Sequence, residues 1–150
     1  TLCRVEDIVD PVVQQLNTLT SKKGLDFEVV QEAETVFADK VRARQILFNL
    51  IGNAIKFTDA GFVRLIVKVD ADMVRFEVHD SGMGISEDQF ASIFDVFYQV
   101  DSTATRRAGG TGMGLAISKS LAELQHGGLA VTSVMGSGSC FVLSLPVNAI

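Results

Sequence analysis

The chain has 150 residues, of which 47% are apolar, about the size of one domain and enough for a single substantial core. A formal net charge of −5, with Arg106-Arg107 as the one dense basic spot, argues against a nucleic-acid backbone as partner, because that role requires clustered positive charge. No apolar run approaches the ~20 residues that span a bilayer and no signal-peptide pattern opens the chain, so no direct membrane contact is expected and any anchor lies outside this sequence.

In chain order, residues 1–5 read as a short strand. Residues 6–20 carry Ile8, Val9, Val12, Val13, Leu16 and Leu19 at helical spacing, with Pro11 tolerable only in a first turn. Ser21-Lys22-Lys23-Gly24 stops that helix, and Leu25, Phe27 and Val29 then alternate as in a strand. Asp39 is placed to cap a helix over 41–57. Residues 62–69 and 73–80 are β-rich runs joined by Asp70-Ala71-Asp72, hence an antiparallel hairpin. Ser86-Glu87-Asp88-Gln89 has the capping-box pattern and predicts a short helix through Phe94. From Val100 to Gly114 the composition is that of a loop, Leu115–Leu124 resumes helical periodicity, and residues 129–134 and 140–145 form a last hairpin. The order β-α-β-α-β-β-α-α-β-β predicts an α+β fold with a mixed, mostly antiparallel sheet and helices on one face. The two cysteines, Cys3 and Cys140, lack metal-type spacing and read as reduced core or strand-edge residues in a cytoplasmic setting.

Three segments carry chemistry. On helix 41–57, Ile46, Leu47, Leu50, Ile51 and Ala54 form an apolar stripe, whereas Gln45, Asn49, Asn53 and Lys56 share a polar face. Asparagine is a mediocre helix former, so two of them one turn apart suggest oxygen ligands for a hard cation such as Mg²⁺ beside phosphate oxygens; an ordinary solvated face is the plainer alternative. On strand 73–80, Val74, Phe76, Val78 and Asp80 share one phase, which turns Asp80 inward. A carboxylate there costs several kcal/mol, about the penalty for a buried polar group, unless it is paired. The exocyclic amine of adenine would satisfy it; so would the backbone of the turn that follows. Ten of the 13 glycines lie between Gly82 and Gly138, and the cluster at 109–114 could present backbone N–H groups of Gly112, Met113 and Gly114 to phosphate at a helix start, or simply turn the chain. Neither a Walker A loop nor a dinucleotide fingerprint is present.

Taken in order, these segments resemble the catalytic and ATP-binding domain of sensor histidine kinases, in the Bergerat-fold ATPase and kinase superfamily, over nearly the whole chain. Residues 45–58 look like the N box, 80–84 and 110–115 like the two glycine boxes, Phe94-Asp95-Val96-Phe97 like the F box, and 136–139 like the terminal glycine turn. The resemblance implies a two-layer α/β sandwich in a single domain, 1–150, cut from a longer kinase. It implies that Asn53 ligates Mg²⁺, that Asn49 supports the metal and phosphates, and that Lys56 contacts phosphate. Phe57, Ile85 and Phe97 would join the nucleotide site, with Phe57 beside the adenine; Asp80 would bind the adenine amine, with Gly82 and Gly84 shaping the base pocket. Gly110, Thr111, Gly112, Met113, Gly114 and Leu115 would border the triphosphate, and Arg106 or Arg107, in a lid over 98–110, would reach the γ-phosphate. The chain departs from many relatives at Gln99, where a basic residue is frequent. Hydrolytic members of the superfamily carry a glutamate where this chain has Asn49, and an amide cannot take a proton from water, so γ-phosphate transfer with little hydrolysis is expected.

Neither His79 nor His126 sits in a phosphoacceptor context. The implied partners are therefore a histidine-bearing dimerisation domain of the same kinase and, downstream, a response regulator receiver domain, with the isolated domain monomeric. An anti-sigma-type serine kinase on the same fold and an ATP-binding scaffold without phosphotransfer remain the alternatives.

Overall fold

A computed structural model of the protein describes residues 1–58, 60–82, 113–134 and 138–148. Strand β1 (Leu2–Arg4) leads into helix α1 (Val5–Lys23); β2 (Asp26–Gln31), β3 (Thr35–Phe37) and helix α2 (Lys40–Phe57) follow. The hairpin β4 (Phe62–Asp70) and β5 (Met73–Asp80) comes next, then helix α3 (Met113–Leu124) and the hairpin β6 (Gly128–Val134) and β7 (Gly138–Pro146). Five strands form one sheet in the order β2-β4-β5-β7-β6, with β2 parallel to β4 and every other pairing antiparallel. The helices pack on one face of it: α1 against α2, α2 against β4 and β5, and α3 against α2, β6 and β7. This is the expected two-layer sandwich. The helix expected over 86–94 and the loop expected from Val100 up to residue 112 lie outside the described residues.

Alternation decides which side of the sheet is dry. Val63, Leu65 and Val67 of β4, Val74, Phe76 and Val78 of β5, and Leu143 and Leu145 of β7 are fully buried. They meet the stripe Ile46, Leu47, Leu50, Ile51 and Ala54 of α2 and Ile8, Val12 and Leu16 of α1. Each such side chain contributes about 1.5–3 kcal/mol relative to exposure, so the α2 stripe alone anchors the helix firmly to the sheet. The opposite face carries Arg64, Lys68, Arg75, Glu77 and His79 and is open to solvent, as their intermediate exposure (all but the buried Glu77) reflects. Burial fades along β2, where Leu25 just before it is covered but Val29 is exposed, because β2 is an edge strand.

Two local expectations are corrected. Helix α1 begins at Val5, so Pro11 lies in its second turn rather than its first. The helix survives because the Asp7 carbonyl, which a residue with an N–H at position 11 would have bonded, accepts instead from Arg44 Nε of α2 at 2.8 Å. Cys140 is neither core nor strand edge: β7 lies between β5 and β6, and the thiol is half-buried on the outer face, level with His79. Strand β3, absent from the sequence reading, pairs with β1 in a small separate sheet, Leu2 opposite Phe37.

The ends of α2 are fixed from both sides. Asp39 caps it as expected, accepting from the Arg42 N–H at 3.2 Å, while its own N–H donates to Gln125 Oε1 just beyond α3 at 2.8 Å. At the other end Lys23 Nζ donates to the carbonyls of Ile55 (2.7 Å) and Lys56 (3.3 Å) in the last turn, where Ile55 also accepts from the Thr58 N–H at 3.4 Å.

Candidate nucleotide-binding site

Helix α2 holds Asn49, Asn53 and Lys56 along one side. Asn49 and Asn53 are half-buried and Lys56 is exposed, while Gln45, the fourth residue of that face, is also exposed. The face is turned towards α3: Asn49 Nδ2 donates to Ser118 Oγ at 3.1 Å, and Ser118 is fully buried. Among the described residues this leaves the side-chain oxygens of Asn49 and Asn53 as candidate cation ligands between α2 and the start of α3. That start is at Met113, where backbone N–H groups without intrahelical partners were expected to meet phosphate. Residues 113–115 are placed in its first turn by their backbone.

Asp80 closes the inward phase of β5 and is only 9% exposed. Burial pushes its carboxyl above the ordinary 3.8, and that effect outweighs the backbone hydrogen bonds from Gly82 and Ser139 and the nearby charge of His79, which act the other way. One carboxylate oxygen, Oδ1, accepts from the Gly82 N–H at 2.9 Å. Both sequence readings of Asp80 are therefore compatible with the geometry: it caps the turn, and a carboxylate has acceptor sites beyond those that the Gly82 and Ser139 N–H groups take.

The strand end is held rigidly by residues the sequence reading passed over. Ser81 Oγ accepts from the Phe62 N–H at 2.9 Å, and the Ser81 N–H donates to the Phe62 carbonyl at 3.2 Å, tying the exit of β5 to the entry of β4. Gly138 lies against the same place with φ 115°, and a Cβ built on it would overlap the Asp80 carbonyl oxygen. Thr58, the C-cap of α2, is fully buried, and its Oγ1 has no hydrogen-bond partner among the described residues. A Ser with reciprocal bonds across a strand entry leaves no periodic signal, which is why it was missed; a buried threonine after a polar helix face could have been suspected.

The donor set fits a magnesium nucleotide. Amide oxygens suit a hard cation, Lys56 supplies positive charge, and the buried Asp80 carboxylate and the Thr58 hydroxyl, unpartnered among the described residues, offer polar atoms that a ligand could satisfy. Of the other expected site residues, Phe57 is described by its backbone alone, and Gly84, Ile85, Phe97, Arg106, Arg107, Gly110, Thr111 and Gly112 lie outside the described residues. A cavity of about 640 Å³ lies instead at the start of α2, lined by Leu2, Phe37, Asp39, Lys40, Val41 and Leu124 among others, and contains none of the expected site residues.

The sandwich, with an asparagine-bearing helix laid over the strand that ends in a buried aspartate, is the fold of histidine kinase catalytic domains. The catalytic domain of histidine kinase ThkA superposes with a TM-score of 0.85 at 25% identity, covering 99% of this chain and 98% of that one. Full-length ShkA, solved in complex with AMPPNP, gives 0.83 at 33% identity, with 100% of this chain and 32% of that chain covered. Residues 38–149 match the family described as histidine kinase-, DNA gyrase B-, and HSP90-like ATPase, and the chain belongs to that family. Among curated relatives, the Aerobic respiration control sensor protein ArcB of Escherichia coli K12 is 45% identical over 139 residues, 89% of this chain. The Autoinducer 2 sensor kinase/phosphatase LuxQ of Vibrio vulnificus is 38% identical over 99% of it. The chain spans 18% of the length of each of these two relatives. Among the described residues, no helix is long and apolar enough to cross a membrane.

Proposed function

We propose that this chain is a single catalytic domain of a longer sensor histidine kinase, that it binds Mg-ATP between α2 and the start of α3, and that it passes the γ-phosphate to a histidine on a separate helical domain. The observation that carries this reading is the buried Asp80 carboxyl at the end of β5, where the Ser81 bond to Phe62 and the close Gly138 backbone fix the strand exit. A domain that needed only stability would place an apolar residue there.

When bound, ATP would supply the γ-phosphoryl group and Mg²⁺ positive charge to offset its phosphates. The chain's own residues then divide the work. Asp80 accepts from the adenine amine at an acceptor site beyond those that Gly82 and Ser139 occupy, which selects adenine over bases lacking that donor. Asn53, with Asn49 fixed by Ser118, would hold the metal through amide oxygens. Lys56, at the exposed end of α2, neutralises phosphate charge, and Arg106 or Arg107 completes that neutralisation as charge develops. Asn49 cannot act as a base towards water, so transfer dominates over hydrolysis. Its acceptor domain and a receiver domain downstream belong to the same two-component pathway, and the histidine kinase neighbours and relatives support that placement.

The test supplies the domain with γ-labelled ATP, Mg²⁺ and a separately purified histidine-bearing helical domain of a related kinase. Label transferred in an acid-labile, base-stable form is the expected result. An acid-stable product on a serine-bearing substrate would favour the serine kinase, and tight ATP binding without transfer to any acceptor would favour a scaffold.

A further inference from the structure

On the face of the sheet remote from the helices, strand register brings together three side chains of metal-ligating type. Glu77 and His79 stand two apart on β5 and so share that face, and Cys140 of β7 is the direct cross-strand partner of His79. One ligand atom from each lies within 4.8 Å of the others. His79 Nε2 is 3.1 Å from Glu77 Oε1 and 3.6 Å from Cys140 Sγ. A single ring nitrogen thus faces both groups, and it cannot donate its one proton to the carboxylate while accepting another from the thiol. We propose that Glu77 Oε1, His79 Nε2 and Cys140 Sγ form a binding site for Zn²⁺, with a fourth position open to solvent.

The distances favour this ion. Bonds of about 2.3 Å to sulfur, 2.0–2.1 Å to imidazole and 2.0–2.2 Å to carboxylate at tetrahedral angles separate nitrogen from sulfur by about 3.6 Å and nitrogen from oxygen by about 3.3 Å. The two separations from His79 Nε2 fall within about 0.3 Å of these values, and the carboxylate and thiol, within 4.8 Å of each other, would close to about 3.6 Å by side-chain rotation. The carboxylate is already aimed: its other oxygen, Oε2, is held by Lys68 Nζ at 3.2 Å and by Arg75 at 3.3 Å, which leaves Oε1 for a metal. Binding exchanges the thiol proton, released to solvent, for a sulfur-metal bond. One thiolate and one carboxylate then neutralise the divalent charge without displacing Lys68 or Arg75. Sulfur and imidazole ligands select zinc over the magnesium that suits the amide oxygens of α2, so the two metal preferences of the chain lie on opposite faces of β5.

Titration of the full chain with Co²⁺ as a spectroscopic stand-in, under a non-thiol reductant and without nucleotide, tests the site. The expected result is one equivalent bound with the intense visible bands of a tetrahedral ion and a sulfur-to-metal charge-transfer band, both removed by competing Zn²⁺. Cys140→Ser should abolish the charge-transfer band and His79→Gln should weaken Zn²⁺ binding by more than about 10-fold, the effect that even an outer partner of a ligand has. Cys3→Ser should change neither, and circular dichroism must show each variant folded. A weak octahedral spectrum in the wild type, or a sulfur band that survives Cys140→Ser, overturns the proposal. Should His79→Gln fail to fold, Cys140→Ser decides alone.

Discussion

Replacing Asp80 by asparagine separates what the buried carboxylate does for the fold from what it does for a ligand. In the wild type, Oδ1 is committed to the Gly82 N–H, and the side chain is 9% exposed. Asparagine keeps the shape but has a single acceptor oxygen, so the Gly82 and Ser139 N–H groups and the adenine amine compete for it. A hydrogen bond to a charged partner is worth about 1.5–3 kcal/mol, which places the loss of ATP affinity between about 10-fold and 150-fold. Stability should move the other way. The Asp80 carboxyl is held above its ordinary value by burial, so the folded state binds its proton more readily than the unfolded chain does. Its stabilising contribution is present in acid and is lost as the pH rises through the folded value; at neutral pH the buried charge is a cost that asparagine removes. Calorimetric titration with a non-hydrolysable ATP analogue and with a GTP analogue, beside urea unfolding of the apo domain, reads both effects. The reasoning predicts weaker, less adenine-selective binding in a domain whose unfolding midpoint holds or rises. Unchanged affinity for the ATP analogue, with the variant folded, would refute the assignment of the base to Asp80.

Three further outcomes follow from the same contacts. Asn53→Ala should remove most of the enhancement that Mg²⁺ gives to nucleotide binding while leaving metal-free binding within about threefold, because a metal ligand and not a base contact is lost; a matching loss in both conditions would contradict the role. Gly138→Ala should weaken ATP binding and lower the thermal midpoint together, since the added Cβ meets the Asp80 carbonyl and the φ of 115° disfavours any side chain; a melting curve that overlays the wild type would show that the strand end yields freely. Burial pulls the Glu77 carboxyl upward, but its hydrogen bonds with His79 and Lys68 and the charges of Lys68 and Arg75 prevail and hold it below 4.5, so its stabilisation is present above that value and is lost as the pH falls through the folded one. Glu77→Gln should therefore flatten the acid side of a plot of unfolding free energy against pH, and an unaltered slope there would count against the cluster as a source of stability.

Much of the fold was legible because periodicity is local. The α2 stripe, the Asp39 cap, the two hairpins and the inward phase of β5 each depend on residues a few positions apart, and each is where the pattern put it. What escaped the sequence depends on distant pairs. Pro11 is accommodated by Arg44, 33 positions on according to the sequence numbering, and nothing in the spacing around Pro11 announces it. Strand β3 has three residues, too few for alternation to register, and exists because β1 is there to pair with it. The Ser81 clamp on Phe62 spans 19 positions, and the His79 to Cys140 approach spans 61. In the candidate site, the residue types on α2 and at Asp80 could be read, whereas the bond from Asn49 to Ser118, which turns that face towards α3, is a product of helix packing.

Strand β5 shows how one element supports two unlike surfaces. Its even-numbered residues, Val74, Phe76, Val78 and Asp80, are on the face towards α2, and its odd-numbered residues, Arg75, Glu77 and His79, are on the outer face, where Glu77 is buried among its neighbours. The alternation is enforced from both sides, since Val63 pairs with Asp80 on β4 and Ser139 pairs with it on β7. A slip of one residue would put Glu77 and His79 into the core and Phe76 into water, at a cost of several kcal/mol for the buried charge alone. The register that keeps the core dry therefore also aims Asp80 at the nucleotide side and sets His79 beside Cys140. Mutations that loosen this register, at Gly138 or Ser81, should disturb both surfaces together, whereas Asp80→Asn and Cys140→Ser should each disturb only one.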